Sequence, residues 1–386
     1  MRPRNALGTI AGIGELAPQR TTGDETTLGM IAEVSRRALD DAGLEKGAID
    51  GLLVGPQVGE TPQHVPAAVS EYLGIQPSMS NVVDLGGASG AGMVWRAAAA
   101  IAAGMCDTVL CVLANTRTEV VPRSPNRNPI REFDVPFGAS GANTSYAMIA
   151  RAHMARHGTT SEQLALIASW ARRNAQLNPD AIWYGKPATI EEVLSSPMIV
   201  DPLHLFEIVM PVAGGDAVIV VSPERAKKLA NPGVHLLGAG EKVTHRALSG
   251  APGLTSGPLA SAMAYAFSQS GTSAADMDLL SLYDCYSILV GVTLEDAGVC
   301  PEGTFGAWVE DQDLSHRGEH PLNTHGGQLG FGQPDLAGGM THVLEAVRQL
   351  RGQAGARQIP NADLALCTGN GATMSEATAL VLGAAK

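Results

Sequence analysis

The sequence predicts an α/β fold built from two similar halves, and three observations predict it. Helical stretches alternate with short apolar runs of the kind that a sheet buries on both faces. Two helix–strand units recur, in order, in the second half of the chain. Glycine corners stand where an apolar run opens into a helix, as in NVVDLGGASGAGM and GFGQPDLAGG. At 386 residues, with 45 % hydrophobic and 4 % aromatic residues, the chain suits a close-packed bilobal unit or two domains.

The elements follow in order. TTLGMIAEVSRRALDDAGLEKGAIDGLLVG (26–55) reads as a helix, a glycine stop, an acidic turn and a short strand. PLASAMAYAFSQSGTSAADMDLLSLYD (258–284) has the same order. The second unit, GGASGAGMVWRAAAAIAAGMCDTVLCVLA, is a corner, a helix, an Asp and a strand; residues 330–371 repeat it and end on strand LALC. Residues of about 115–215 have no counterpart and are expected to form a cap over the site. VAGGDAVIVVSPERAKKL (212–229) returns to a buried strand, which places the halves at 1–231 and 232–386.

A net charge of −12 excludes nucleic acid as a partner, because phosphate binding needs a basic face. The longest apolar run, around 97–103, is too short to span a bilayer, so no membrane association is expected. The N-terminal MRPRNALGTIAGIGE is broken by glycines and does not read as a signal peptide, which makes a cytoplasmic protein the expectation. Five cysteines without a C-x-x-C pair fit reduced thiols rather than a disulfide frame or a zinc site. His153 and His157, at i,i+4, are expected on a helix surface and His316 and His320 in loops, and no metal site is expected. Arg117, Arg123, Arg127 and Arg131 fit either a phosphate-binding cluster or a solvated loop.

Four segments, in this order within a duplicated chain, resemble the thiolase superfamily over almost its whole length. GGASGAGM resembles the first catalytic corner. LYDCYSILVGVTLEDAG (282–298) resembles the His-Asp-Cys-Phe block of sterol-carrier-protein-X-type thiolases. PLNTHGGQLGFGQPDLAGG (321–339) resembles the Asn-x-x-Gly-Gly and Gly-His-Pro block, and LALCTGNGA (364–372) the last Cys-x-Gly-Gly-Gly corner. The resemblance implies a duplicated, five-layered αβαβα fold with a central sheet in each half.

The departures bear on chemistry. Where thiolases carry the acylated cysteine stands Gly87; where they carry the activating histidine stands Gln333; Tyr283 takes the place of the His in His-Asp-Cys-Phe. Only the second cysteine position is kept, as Cys367. Glutamine cannot serve as a general base, so thiolytic cleavage is not expected. Ser89 is expected to cap the following helix, and Asp84 to offer a carboxylate beside the corner.

A cavity for an acyl-CoA thioester without a nucleophile suits retro-aldol cleavage of a β-hydroxyacyl-CoA. Lipid-transfer-protein-type aldolases that shorten steroid side chains are similar to this chain in the Tyr-Asp block and NTHGG. That resemblance implies Tyr283 as base for the β-hydroxyl and Cys367 as proton donor to the enolate. It also implies Asn323 and His325 as groups that orient water or the thioester oxygen, and Gly87, Ser89, Asp84, Gln333 and Gly369 as substrate contacts. A phenol base needs a depressed pKa or a relay. No cofactor is expected beyond the CoA of the substrate. The resemblance further implies a homodimer or a heterodimer of thiolase-like chains and a small OB-fold, zinc-ribbon partner. The alternatives are an atypical thiolase or acyltransferase, and a non-catalytic subunit of a hetero-oligomer.

Overall fold

Strand β1 (Gly8–Gln19) leads into helix α1 (Thr27–Ala42). The Thr26 hydroxyl accepts from the Gly29 amide at 3.1 Å and starts the helix, and Gly43 ends it at φ 65°, a left-handed geometry that suits glycine. There follow β2 (Gly51–Val54), α2 (Val65–Leu73), β3 (Met79–Val82), α3 (Ser89–Ala102) and β4 (Thr108–Asn115). The inserted segment holds α4 (Gly141–His157), α5 (Ser161–Asn174), α6 (Ile190–Ser195), β5 (Met198–Val200) and β6 (Leu203–His204). β7 (Ala213–Val221) and α7 (Pro223–Ala226) close the first half. The second half runs β8 (Val234–Val243), α8 (Pro258–Ser270), β9 (Leu279–Ser281), α9 (Ser287–Asp296) and α10 (Phe305–Glu310). It ends with α11 (Gly327–Phe331), α12 (Gly338–Leu350), β10 (Leu364–Gly371) and β11 (Glu376–Ala384). This computed structural model describes residues 6–56, 63–117, 135–139 and 141–385.

Nine of the described strands form one sheet, ordered β3-β2-β4-β7-β1-β8-β11-β10-β9, and β5 pairs separately with β6. The seam is the antiparallel pairing of Gly8–Ile10 with Val234–Leu236. Outward from it, β1-β7-β4-β2 and β8-β11-β10-β9 repeat one pattern: antiparallel, antiparallel, parallel. Helix α1 covers the first half's strands and α8 the second's, while α3 and α12 pack on each other and on strands of both halves. That is the expected stack of five layers, with its two sheets joined edge to edge.

A third repeat, unexpected from the sequence, sits at the seam. IAGIGE (10–15) in β1 and LLGAGE (236–241) in β8 place the same residues alike. A Cβ on Gly12 or Gly14 would lie 2.2 Å from a carbonyl oxygen of α1; one on Gly238 or Gly240 would lie 2.2 or 1.9 Å from a carbonyl of α8. Each outer helix therefore rests directly on strand backbone. The glutamates that follow reach the middle layer crosswise: Glu15 pairs with Arg348 of α12 at 2.9 Å, and Glu241 with Arg96 of α3 at 2.5 Å. The closing strand β11 was also not anticipated.

The insertion packs on the second half, through α4 on α9 and α5 on α9, α10 and α11. His153 corrects the surface expectation: its ring is fully buried, with Nδ1 2.7 Å from Thr159 Oγ1 and Nε2 3.2 Å from Glu295. The sequence hid this because Glu295 comes from α9, far along the chain. Of the arginine cluster, Arg123, Arg127 and Arg131 lie outside the described residues; Arg117 is tied by its backbone to Thr22.

Candidate active site

The first glycine corner is held by its own serine. Ser89 Oγ donates to the Gly86 carbonyl at 2.6 Å and accepts from the Leu85 amide at 2.9 Å, and the side chain is fully buried. It therefore folds back to brace the turn and does not cap α3, whose N-cap residue, Ala88, makes no side-chain bond. The corner meets the last corner of the chain glycine to glycine. A Cβ on Gly369 would lie 2.8 Å from Ala88 Cα, and Gly86, at φ 54°, sits against Gly371.

Position 87 is occupied in space by a residue of the other half. A Cβ built on Gly87 would lie 2.1 Å from Tyr283 Oη and 2.4 Å from its Cζ. The phenol thus fills the volume that a cysteine side chain would need. Gln333 donates from Nε2 to Tyr283 Oη at 2.9 Å, and Thr368 Oγ1 accepts from the Tyr283 amide at 2.9 Å. Glutamine at 333 is therefore fixed between Met210 and Val212 by its backbone and aimed at the phenol by its side chain. Burial pushes the Tyr283 phenol well above its ordinary pKa, helped by the thiol of Cys285 and the nearby carboxylates. A base role for Tyr283 would need the opposite shift or a relay.

Behind the phenol, Asp284 accepts from the Gln328 and Leu329 amides at 2.7 and 3.3 Å, which caps α11. Its Oδ1 also lies 3.2 Å from Nε2 of His342. Asn323, at φ 46°, uses both polar side-chain atoms on the Leu282 backbone at 2.8 Å, which shapes the strand end. His325 is buried, with both ring nitrogens unpartnered among the described residues and its ring 5.3 Å from that of His342, and burial drives its pKa far down, which keeps it neutral. Cys367 is fully buried; its sulfur lies 3.6 Å from the His342 carbonyl, and burial raises the thiol strongly. It shares a strand face with Gly369 but sits two residues deeper, about 6–7 Å from the corner contact. Among the described residues neither the His325 ring nor the Cys367 thiol hydrogen-bonds to the phenol–amide pair.

At the corner's outer side three carboxyls gather. Asp84 is exposed, with Oδ1 3.5 Å from the Gly86 amide. Loss of hydration and the charge of Asp84 push both Asp335 and Glu376 above the ordinary range, with Arg117 pulling Asp335 the other way. The insertion adds a wall: Tyr146 stacks on Tyr286 with centroids 4.1 Å apart, Asn370 donates to the Tyr146 hydroxyl at 2.7 Å, and Tyr286 donates to Asn143. Asp335, Gln328 and His342 lie in or beside the segments singled out above, yet no spacing rule marks them. Tyr146 and Asn143 carry no sequence signal.

A thiolase-type corner with a phenol and an amide in place of thiolate and imidazole defines a thiolase-fold protein built for other chemistry. A family model described as thiolase C-terminal domain-like matches residues 240–384. A steroid side-chain-cleaving aldolase of Thermomonospora curvata is 34 % identical over 362 residues, 89 % of this chain and 90 % of that protein. An acetyl-CoA acetyltransferase of Methanothermobacter thermautotrophicus is 30 % identical, over 89 % of this chain and 91 % of that protein. The solved Ltp2–ChsH2(DUF35) aldolase superposes with a TM-score of 0.89 and 31 % identity, covering 98 % of both chains. The chain belongs to the thiolase superfamily, among its sterol-carrier-protein-like aldolases.

Proposed function

We propose that this chain is a carbon–carbon lyase that cleaves a β-hydroxyacyl-CoA by retro-aldol chemistry, with a steroid side-chain thioester as substrate. One observation carries the reading: the Tyr283 phenol stands in the volume that a nucleophile at position 87 would occupy, and Gln333 holds it there. The acetyltransferase relative shows that likeness along the chain does not separate the two chemistries; the contents of the corner do.

The step needs a proton acceptor for the β-hydroxyl and a donor for the enolate carbon. Asp335 accepts the hydroxyl proton, the Cα–Cβ electrons move into the thioester enolate, and the ketone or aldehyde leaves. Tyr283 then protonates the enolate carbon, and the Asp335 proton restores the phenol directly or through solvent. Cys367, placed deeper, lines the wall of this scheme and donates nothing. The chain works as a dimer paired through β3, with a small OB-fold, zinc-ribbon subunit; the DUF35 component named with the similar solved aldolase supports such a partner.

The test incubates the chain, with and without a DUF35-type subunit, with a β-hydroxyacyl-CoA bearing a tertiary alcohol. Release of a ketone and a shortened acyl-CoA, lost in Tyr283→Phe, is the expected result. Cleavage of a β-ketoacyl-CoA that depends on free CoA would overturn the reading.

A further inference from the structure

The end of the insertion runs between the two members of the Tyr283–Gln333 pair. Residues 208–212 follow a short turn after β6 and lead into β7 as a strap. On one edge the Val209 amide donates to the Cys285 carbonyl at 3.2 Å, and Ile208 forms an antiparallel bridge with Tyr286. On the other edge Gln333 is held at both backbone groups. Its amide donates to the Met210 carbonyl at 3.0 Å, and its carbonyl accepts from the Val212 amide at 3.0 Å. The strap therefore spaces the segment that carries Tyr283 from the residue that binds the phenol. The 2.9 Å bond from Gln333 Nε2 to Tyr283 Oη closes the ring.

A buried carboxyl fixes this strap lengthwise. Glu207 is fully buried, and each of its oxygens is engaged. Oε2 accepts from the His204 amide at 2.7 Å and lies 3.1 Å from His204 Nδ1. Oε1 accepts from the Ser287 hydroxyl at 3.1 Å. Ser287 opens α9 and directly follows Tyr286, so residue 207 is tied beside the ladder that pairs 208 with 286. An apolar side chain could fill the same volume at less cost than a carboxyl. The carboxyl adds directed bonds, which admit one register. A slip of one residue breaks them, and in one direction it sets Pro211, which has no N–H, opposite the Gln333 carbonyl.

We propose that Glu207 is a positioning residue for the Tyr283–Gln333 pair: by fixing the register of residues 208–212, it holds Gln333 where its amide meets the phenol. This deepens the lyase reading of that pair, although its test needs no substrate.

A fluorotyrosine at position 283 gives a 19F resonance that reports the hydrogen bond to the phenol oxygen. Gln333→Leu removes the donor and marks the resonance of the unbonded ring. Glu207→Ala is expected to move the resonance in the same direction. Glu207→Gln, whose side chain can still bond His204 and Ser287, is expected to leave it at the wild-type position. In a Gln333→Leu background, Glu207→Ala moves it no further. An unmoved resonance in Glu207→Ala, an equal displacement in the Gln333→Leu background, or a displaced resonance in Glu207→Gln overturns the proposal. If Glu207→Ala does not fold, Ser287→Ala, which removes one bond and keeps the carboxyl, carries the same expectations. A chain without lyase activity would still give these resonances, so the two readings fail separately.

Discussion

Tyr283 and Gly87 form one unit although they lie in different halves of the chain. Gly87→Ala would put a methyl 2.1 Å from the Tyr283 oxygen, and it is expected to cost about 1–3 kcal/mol of stability. In a Tyr283→Ala background the methyl has room and that penalty disappears; denaturant unfolding of the four proteins measures the difference. Asp335 carries the second expectation at this scale. In the proposed scheme its working form is the carboxylate, and its pKa lies above the ordinary range, so activity is expected to fail on acidification at a higher pH than a free aspartate would impose. Asp84→Asn removes a repelling charge, lowers the Asp335 pKa and moves the acid limb of kcat/KM to lower pH. Asp335→Asn is expected to lower kcat about 100-fold or more. The glycine at 87 and the tyrosine at 283 were both legible in the sequence as departures from a resembled pattern. Their contact was not, because no local periodicity relates two corners that meet only when the halves close.

The repeated helix–strand units were readable because each carries its own punctuation: Thr26 and Gly43 around α1, and Gly271, at φ 67°, after α8. The G-x-G-E repeat in β1 and β8 escaped notice, since its glycines are defined by a helix that comes later in the chain. Gly240→Ala tests it: a Cβ 1.9 Å from the Ala262 carbonyl must push α8 off β8, at a cost of about 1–3 kcal/mol in unfolding measurements. The buried His153 was missed for a related reason. Helical spacing shows that a residue lies on a face, and only the neighbouring helix α9 shows that this face is covered.

For the molecule as a whole, the alternation of elements sufficed for the architecture, and the duplication for its symmetry. The sequence did not show that the insertion would lie across the opposite half, and so bring Tyr146 and Asn143 to a site whose corners come from both. One sheet edge bears on assembly. Among the described residues β3 pairs only with β2, and Ser80, Asn81 and Val82 are exposed. Val82→Lys places a charge on that edge without touching a core, and if the proposed β3-paired dimer forms, it is expected to leave the chain monomeric in light-scattering measurements.

The shared volume of Gly87 and Tyr283 also limits how such a chain can change its chemistry. A cysteine returned to position 87 alone meets an aromatic ring where its sulfur should go, and a smaller residue at 283 alone leaves a hole with no reacting group. Each single change leads through a protein that is overfull or empty at its centre. The two reactions are alternative tenants of one space, and passage between them takes two substitutions made together.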